Sequence, residues 1–308
     1  MRNQSKATLK LAKALFLTIS FLTTTGHANE KSAAQIRIDG SSTVYPLTEA
    51  VAEDFQAANK TVRISIGVSG TGGGFKKFLN NEIDIAEASR KISESEAKAA
   101  AEKKLEYLEL PVAFDGLTVV VHPKNTFAEK LSFAELKKIW EPGSKVKLWS
   151  DVNPSWPKRA IKLFGAGADS GTFDYFTEAV NGKSKASRAD YMASEDDNAL
   201  VRGVSGDVDA LGYFGYAYFE GSKNRVKAVA LSKDDNANYI KPSQETIANL
   251  SYPLSREVYL YASKAALERK EIRTFLKFYL ESSASVAKEV GFVPLSATRY
   301  KDIALTLK

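Results

Sequence analysis

The chain has 308 residues, 44% of them hydrophobic and 26% charged, with 43 basic against 37 acidic residues and a formal net charge of +6. That length allows two domains or one large one, and the hydrophobic fraction supports a sizeable core. No cysteine is present, which excludes disulfides, thiolate chemistry and a lipidated N-terminal cysteine, and the only histidines are His27 and His122.

Residues 1–28 have the pattern of a secretory leader. Arg2, Lys6, Lys10 and Lys13 form a basic region, Leu15 to Leu22 an apolar one, and Gly26-His27-Ala28 a small-residue cleavage site. The apolar run is short for a bilayer span. Export to the periplasm is therefore expected, with cleavage near Ala28. Removing the leader's four basic residues leaves 39 against 37 acidic ones, a net charge of +2. The basicity that could favour nucleic acid is thus mostly the leader's, and no nucleic-acid partner is expected.

Ile36 to Ile38 reads as a strand entering Gly40-Ser41-Ser42-Thr43, and Leu47, Ala50, Val51 and Phe55 follow at helical spacing behind Pro46. Val62 to Val68 alternates as a strand and leads into Ser69-Gly70-Thr71-Gly72-Gly73-Gly74, where Phe75, Phe78 and Leu79 open a helix. Ile83 to Ala86 is a strand ending at Ser89-Arg90. Ser93 to Glu96 and Ser132 to Glu135 are capping boxes before helices. Leu105 to Leu110 and Leu117 to Val121 read as two strands separated by Ala113-Phe114-Asp115-Gly116, and Pro142 to Pro157 as a long connection. Trp140, Trp149 and Trp156 are expected to pack. Strands are further expected over Leu211–Phe219, Val226–Leu231 and Val258–Ala262, with a mostly helical end. Ser194-Glu195-Asp196-Asp197 reads as loop and N-cap rather than a carboxylate metal site.

Strand and helix alternate, which argues an α/β fold with mainly parallel sheets and ligands beyond the carboxyl ends of the strands. Four Ser/Thr/Gly clusters fall there: Ser41 to Thr43, Ser69 to Gly74, Ser89-Arg90, and Ser170-Gly171-Thr172. The last follows the apolar run Ile161 to Phe164 and precedes Phe173, Phe176, Ala179 and Val180, so it should sit at a helix N-terminus. Unpaired amides and hydroxyls there suit an anion. Asp169 is a contrary charge in such a place unless the anion carries a proton for it to accept. Gly165-x-Gly167-x-x-Ser170 is a poor dinucleotide fingerprint, and Gly70 to Lys77 lacks the ending of a P-loop. With two histidines and no cysteine, a Cys/His metal site or a Ser-His-Asp triad has almost nothing to use. A structural or surface role is expected for His122.

Gly40-Ser-Ser-Thr-Val-Tyr-Pro46, Ser69-Gly-Thr-Gly-Gly-Gly-Phe-Lys-Lys77, Asp169-Ser-Gly-Thr172 and Tyr252-Pro-Leu-Ser-Arg256 together resemble the PstS-type periplasmic phosphate-binding proteins, in the right order from about Ile36 almost to the C-terminus. The resemblance implies a type II periplasmic-binding-protein fold, two α/β lobes with a central cleft and two hinge crossings. The crossings are placed near Phe114–Leu117 and Arg256–Val258. Lobe one would comprise residues 29–115 and 257–308, and lobe two residues 116–256. It further implies a monomeric binder of inorganic phosphate that serves the membrane permease subunits of an ABC importer, with no cofactor and no catalysis.

The family pattern has an Asp where Arg90 stands and an Arg where Ala166 stands. An exchange of sides follows: Arg90 supplies the cation and Asp169 the acceptor. Ser42, Thr43, Ser69, Gly70, Thr71, Arg90, Asp169, Ser170, Gly171 and Thr172 are thus expected to hold the ion, with the hydroxyl of the second cluster coming from Ser69 or Thr71. Sulfate has no proton at neutral pH and would leave Asp169 unpaired in a dry site, at about 1–3 kcal/mol or more. The alternatives are a binder of sulfate, molybdate or tungstate, or a secreted phosphatase, which would need a nucleophile with an activating base or metals.

Overall fold

The computed structural model describes residues 34–168, 170–234 and 238–307. The leader expected over residues 1–28 and the side chain of Asp169 lie outside them. The chain begins β1 (Ala34–Gly40), α1 (Tyr45–Ala58), β2 (Val62–Gly67), α2 (Gly70–Leu79), β3 (Ile85–Ala88), α3 (Glu94–Glu102) and the 15-residue strand β4 (Tyr107–Val121). Then come β5 (Lys130–Ser132), α4 (Phe133–Trp140), α5 (Trp149–Val152), β6 (Lys162–Ala166), α6 (Gly171–Asn181), β7 (Met192–Ser194) and α7 (Asp197–Gly206). They are followed by β8 (Ala210–Gly215), α8 (Tyr216–Glu220), β9 (Lys227–Ala228), β10 (Ala230–Ser232) and α9 (Gln244–Ala248). β11 (Ser255–Ser263), α10 (Lys264–Leu267), α11 (Lys270–Glu289) and α12 (Ala297–Leu305) complete the order.

The larger described sheet has the strand order β2-β1-β3-β11-β4-β8-β6-β7, with β9 added to β4. Its two halves are parallel within themselves, β2-β1-β3 at one end and β8-β6-β7 at the other. The strands between them are antiparallel: β11 to β3 and β4, and β4 to β8. The expectation of mainly parallel sheets therefore holds for each half and fails at the join, where the chain crosses on β4 and returns on β11. Up to Gly116, β4 pairs with β11; from Leu117 onward it pairs with β8.

Each half contributes an aromatic cluster to one continuous hydrophobic core. Leu47, Val51 and Phe55 bury one face of α1, and Phe55 meets the edges of Phe275 and Phe278 of α11 at ring-centroid distances of 5.3 and 5.5 Å. In the other half Phe176 of α6 stacks on Tyr213 of β8 at 3.7 Å, and Trp140 closes the cluster edge-on at 5.0 Å from Tyr213. Burying a ring of this size contributes about 2 kcal/mol. Gly165 admits the cluster to the sheet, because a Cβ there would lie 2.6 Å from the Tyr213 ring. Trp140 and Trp149 are fully buried, and Trp156 packs on Trp149 and Phe127, as expected.

Both capping boxes form as the sequence indicates, at Ser93/Glu96 and Ser132/Glu135. Four expectations need correction. The two strands split at Ala113–Gly116 are one continuous β4, because that segment is buried and laddered to β11, with Gly116 making room for Ile247. The strand expected through Phe219 ends at Gly215 and turns into α8, while Val226–Leu231 divides between β9 on β4 and β10 on β5. Finally, the connection from Pro142 to Pro157 contains α5, which buries Trp149 and Val152. Among the described residues no helix is long and apolar enough to cross a membrane.

Candidate functional site

Gly40 builds the first wall. Its φ is +151°, and a Cβ would meet the Glu87 carbonyl oxygen at 2.1 Å, so only glycine lets β1 end this close to β3. The close approach allows Ser41 N–H to donate to Glu87 O at 3.0 Å and turns Ser42 and Thr43 outward ahead of α1. The second wall follows β2. Here the Ser69 N–H and hydroxyl both donate to Asp39, which also takes Lys77 Nζ. Burial would raise the Asp39 carboxyl, but the bonds from Lys77 and Ser69 outweigh it and hold it below its ordinary range. Ser69 thus anchors the loop. It is Gly70, Thr71 and Gly72 that face the cleft, with Thr71 Oγ1 accepting from Ser89 N–H at 3.1 Å.

On the opposite side Ser170 caps α6, its Oγ accepting from Thr172 N–H at 3.1 Å. Thr43 links the two sides. Its Oγ1 donates to the Gly171 carbonyl at 3.3 Å and accepts from Arg256 Nη2 at 2.9 Å. Two cavities flank this contact and share Ser42 and Thr43. The larger, about 550 Å³, is lined by Ser41, Gly70, Thr71, Gly72, Ser89 and Arg90 on one side and by Asp174, Tyr175, Glu178 and Arg256 on the other. The smaller, about 140 Å³, is bounded by Ser170, Gly171, Thr172, Asp115, Asp197, Gly215 and Tyr218. The first hydroxyl cluster thus lines both cavities, the second and third line the larger, and the fourth lines the smaller.

The charges are paired differently from the expectation. Arg90 lines the larger cavity, but its guanidinium is bonded to both oxygens of Glu96, at 2.8 and 3.0 Å, and lies over Phe75. A second guanidinium sits deeper. Arg256 donates from Nε to Asp115 Oδ2 at 3.1 Å and stacks 3.6 Å from the Tyr175 ring centroid. The motif Tyr252–Arg256 contains this residue and Ala113–Gly116 contains Asp115, yet sequence reasoning gave neither a role. A single arginine at the start of a crossing strand was the available signal. Asp174, in the first turn of α6, is raised by burial, with Lys185 and Arg256 opposing. Of the acidic run, Asp196 is the N-cap of α7, as a cap reading requires, but Asp197 faces the smaller cavity. His122 is structural, its Nδ1 accepting from Lys124 N–H at 3.0 Å in a turn.

Two half-sheets joined by a crossing and a returning strand, with hydroxyl- and amide-lined cavities at the junction of their loops, describe a two-lobed periplasmic-binding fold. The PBP superfamily domain model matches residues 25–283. The protein SphX of Synechococcus elongatus is 47% identical over 270 residues, covering 87% of this chain and 79% of that one. The phosphate-binding protein PstS of Staphylococcus saprophyticus is 38% identical over 275 residues, covering 88% and 84%. A crystal structure described as "a possible phosphate binding protein" from Planctomyces limnophilus superposes with a TM-score of 0.86 at 47% identity, covering 89% of this chain and 98% of that one. The chain belongs to the PBP superfamily, among its PstS-type phosphate-binding proteins.

Proposed function

We propose that this chain binds inorganic phosphate in the periplasm, after export and cleavage near Ala28, and delivers it as a monomer to the permease subunits of an ABC importer. The observation that carries the reading is the convergence of the four clusters on cavities that share Ser42 and Thr43. Hydroxyls and backbone amides of Ser42, Thr43, Gly70, Thr71, Ser170, Gly171 and Thr172 spread the ion's charge over local dipoles. Arg90 faces the ion from the outer wall and Arg256 from the hinge, where charge-assisted bonds are strongest. Ser69 acts one step removed, by fixing the loop through Asp39. Asp169 accepts the ion's proton and so rejects sulfate.

The lobes in this reading are residues 29–115 with 257–308, and 116–256. They close about the partner change in β4, and the Thr43–Gly171 contact belongs to the closed form. Binding is favoured over phosphoester hydrolysis because the cleft hydroxyls have no histidine base beside them among the described residues, and His122 is committed to its turn. Phosphate assay of the protein as purified, before and after denaturation, tests the reading. About one phosphate released per chain is expected on denaturation. A chain that neither carries phosphate nor takes it up on dialysis contradicts it.

A further inference from the structure

The smaller cavity poses a charge problem. Its described lining holds two carboxylates, Asp115 and Asp197, and no lysine, arginine or histidine. Asp115 is neutralised by Arg256 at 3.1 Å. Asp197 has no such partner among the described residues. It is the first residue of α7, and its Oδ2 accepts the Gly215 N–H at 3.2 Å. The charged and titratable groups around it do not help. Asp196 and Glu195 precede it, and Arg202 on the same helix pairs with Asp196 at 3.4 Å. Tyr213 of β8 and Tyr218 of α8 face it from the next elements.

We infer that Asp197 is a specificity-determining residue that takes up a proton when the anion enters and then donates a hydrogen bond to it. The inference rests on phosphate being the ligand. Arg90 and Arg256 line the larger cavity and are already paired with Glu96 and Asp115, so a carboxylate and a phosphate dianion side by side at the smaller one favour the neutral acid. Burial brings the Asp197 carboxyl up to about 6, with the Gly215 amide opposing and Asp196 and Glu195 adding to the rise. At about pH 8, well above that value, it is mostly ionised before binding. An anion at contact distance raises it further, so the complex carries a proton that the free protein lacks. As an acid it becomes a donor among Ser170, Gly171 and Thr172 rather than a repelling charge, a use of a carboxylic acid with precedent in enzyme sites. Asp169, as the acceptor of the ligand's own proton, has the complementary task.

The test is titration calorimetry with inorganic phosphate at about pH 8, where the free carboxyl is ionised, in two buffers of different ionisation enthalpy. The wild type should take up about one more proton per phosphate than Asp197→Asn. The amide keeps the oxygen that accepts from Gly215 and replaces the acid's donor. Linkage then requires the wild-type Kd to weaken by up to about tenfold more per pH unit than the variant's between pH 7 and 9. Equal proton counts in wild type and variant, or a wild type that binds phosphate with no proton uptake, overturn this inference alone. A wild type that binds no phosphate overturns the functional reading with it. The wild-type proton count needs no variant, so a folding defect in Asp197→Asn does not block the test.

Discussion

Arg256 and Asp115 are register partners on neighbouring strands, β11 and β4, and their side chains meet at 3.1 Å two residues before Leu117, where β4 changes partner. The ion pair thus marks the place where the two halves of the molecule join, and through Thr43 it reaches the first hydroxyl cluster. It is nearly buried, so removing one partner leaves an uncompensated charge, which costs about 3–5 kcal/mol. The pair fixes geometry where the two half-sheets join and sets Arg256 on the larger cavity.

Arg256→Lys keeps the charge but loses the planar fork that holds Asp115 and Thr43 together. Phosphate affinity is expected to fall by roughly 10- to 100-fold, the equivalent of one or two charge-assisted bonds. Calorimetry on the variant, with circular dichroism to check the fold, measures this. Unchanged affinity would assign the cation's role to Arg90 instead.

Gly171 touches Thr43 across the cleft, and a Cβ at that position would lie 2.7 Å from both the Thr43 nitrogen and Oγ1. Gly171→Ala is therefore expected to hold the halves apart. Phosphate affinity should drop at least about tenfold, because the closed arrangement becomes the minor one. Melting temperature without ligand should change little, since the residue lies outside both aromatic clusters. Small-angle scattering with phosphate should show a larger radius of gyration than the wild type.

Glu87 gives a pH dependence of stability. Its side chain is fully buried beneath the Gly40 turn, and burial, with Asp39 adding to it and Thr48 opposing, pushes the carboxyl up to about 8. A raised carboxyl means that the folded chain keeps a proton that the unfolded chain gives up near its ordinary value of 4.5. Stability is therefore greatest below that value and falls as pH rises toward 8, by about 1.4 kcal/mol per unit from this group, with little further loss above it. Glu87→Gln should remove that slope. Urea denaturation at pH 6 and pH 8 checks it, with a smaller pH difference expected in the variant.

Asp169→Asn should relax the rejection of sulfate. The amide offers a donor in place of a bare acceptor, so a proton-free oxyanion no longer leaves a carboxylate lone pair unmatched. Sites built on such a match discriminate by up to about four or five orders of magnitude. Competition calorimetry should show sulfate binding in the variant. Selectivity equal to the wild type's would remove Asp169 from the mechanism.

What the sequence disclosed was local. Ser/Thr/Gly clusters after short apolar runs, and Ser-x-x-Glu boxes before helices, follow from near-neighbour rules, and the structure places them at strand ends and helix starts. What it hid depended on distant partners. Gly116 reads as a breaker, yet its strand continues because β11, more than a hundred residues later, completes the ladder. Tyr213 to Phe219 has strand-forming composition, but the chain leaves the sheet at Gly215 and Tyr216 and Phe219 are buried as a helical turn. Arg256 became a cleft residue only through Asp115, 141 positions away, and Thr43, 213 away. Asp197 looked like its capping neighbour until the cavity distinguished them.

The most direct test of the whole account is calorimetric titration of ligand-stripped protein with phosphate and, separately, with sulfate at neutral pH. The account predicts saturable binding of about one phosphate per chain and no detectable heat from sulfate. Sulfate binding as tight as phosphate binding, or neither ion binding, would contradict it.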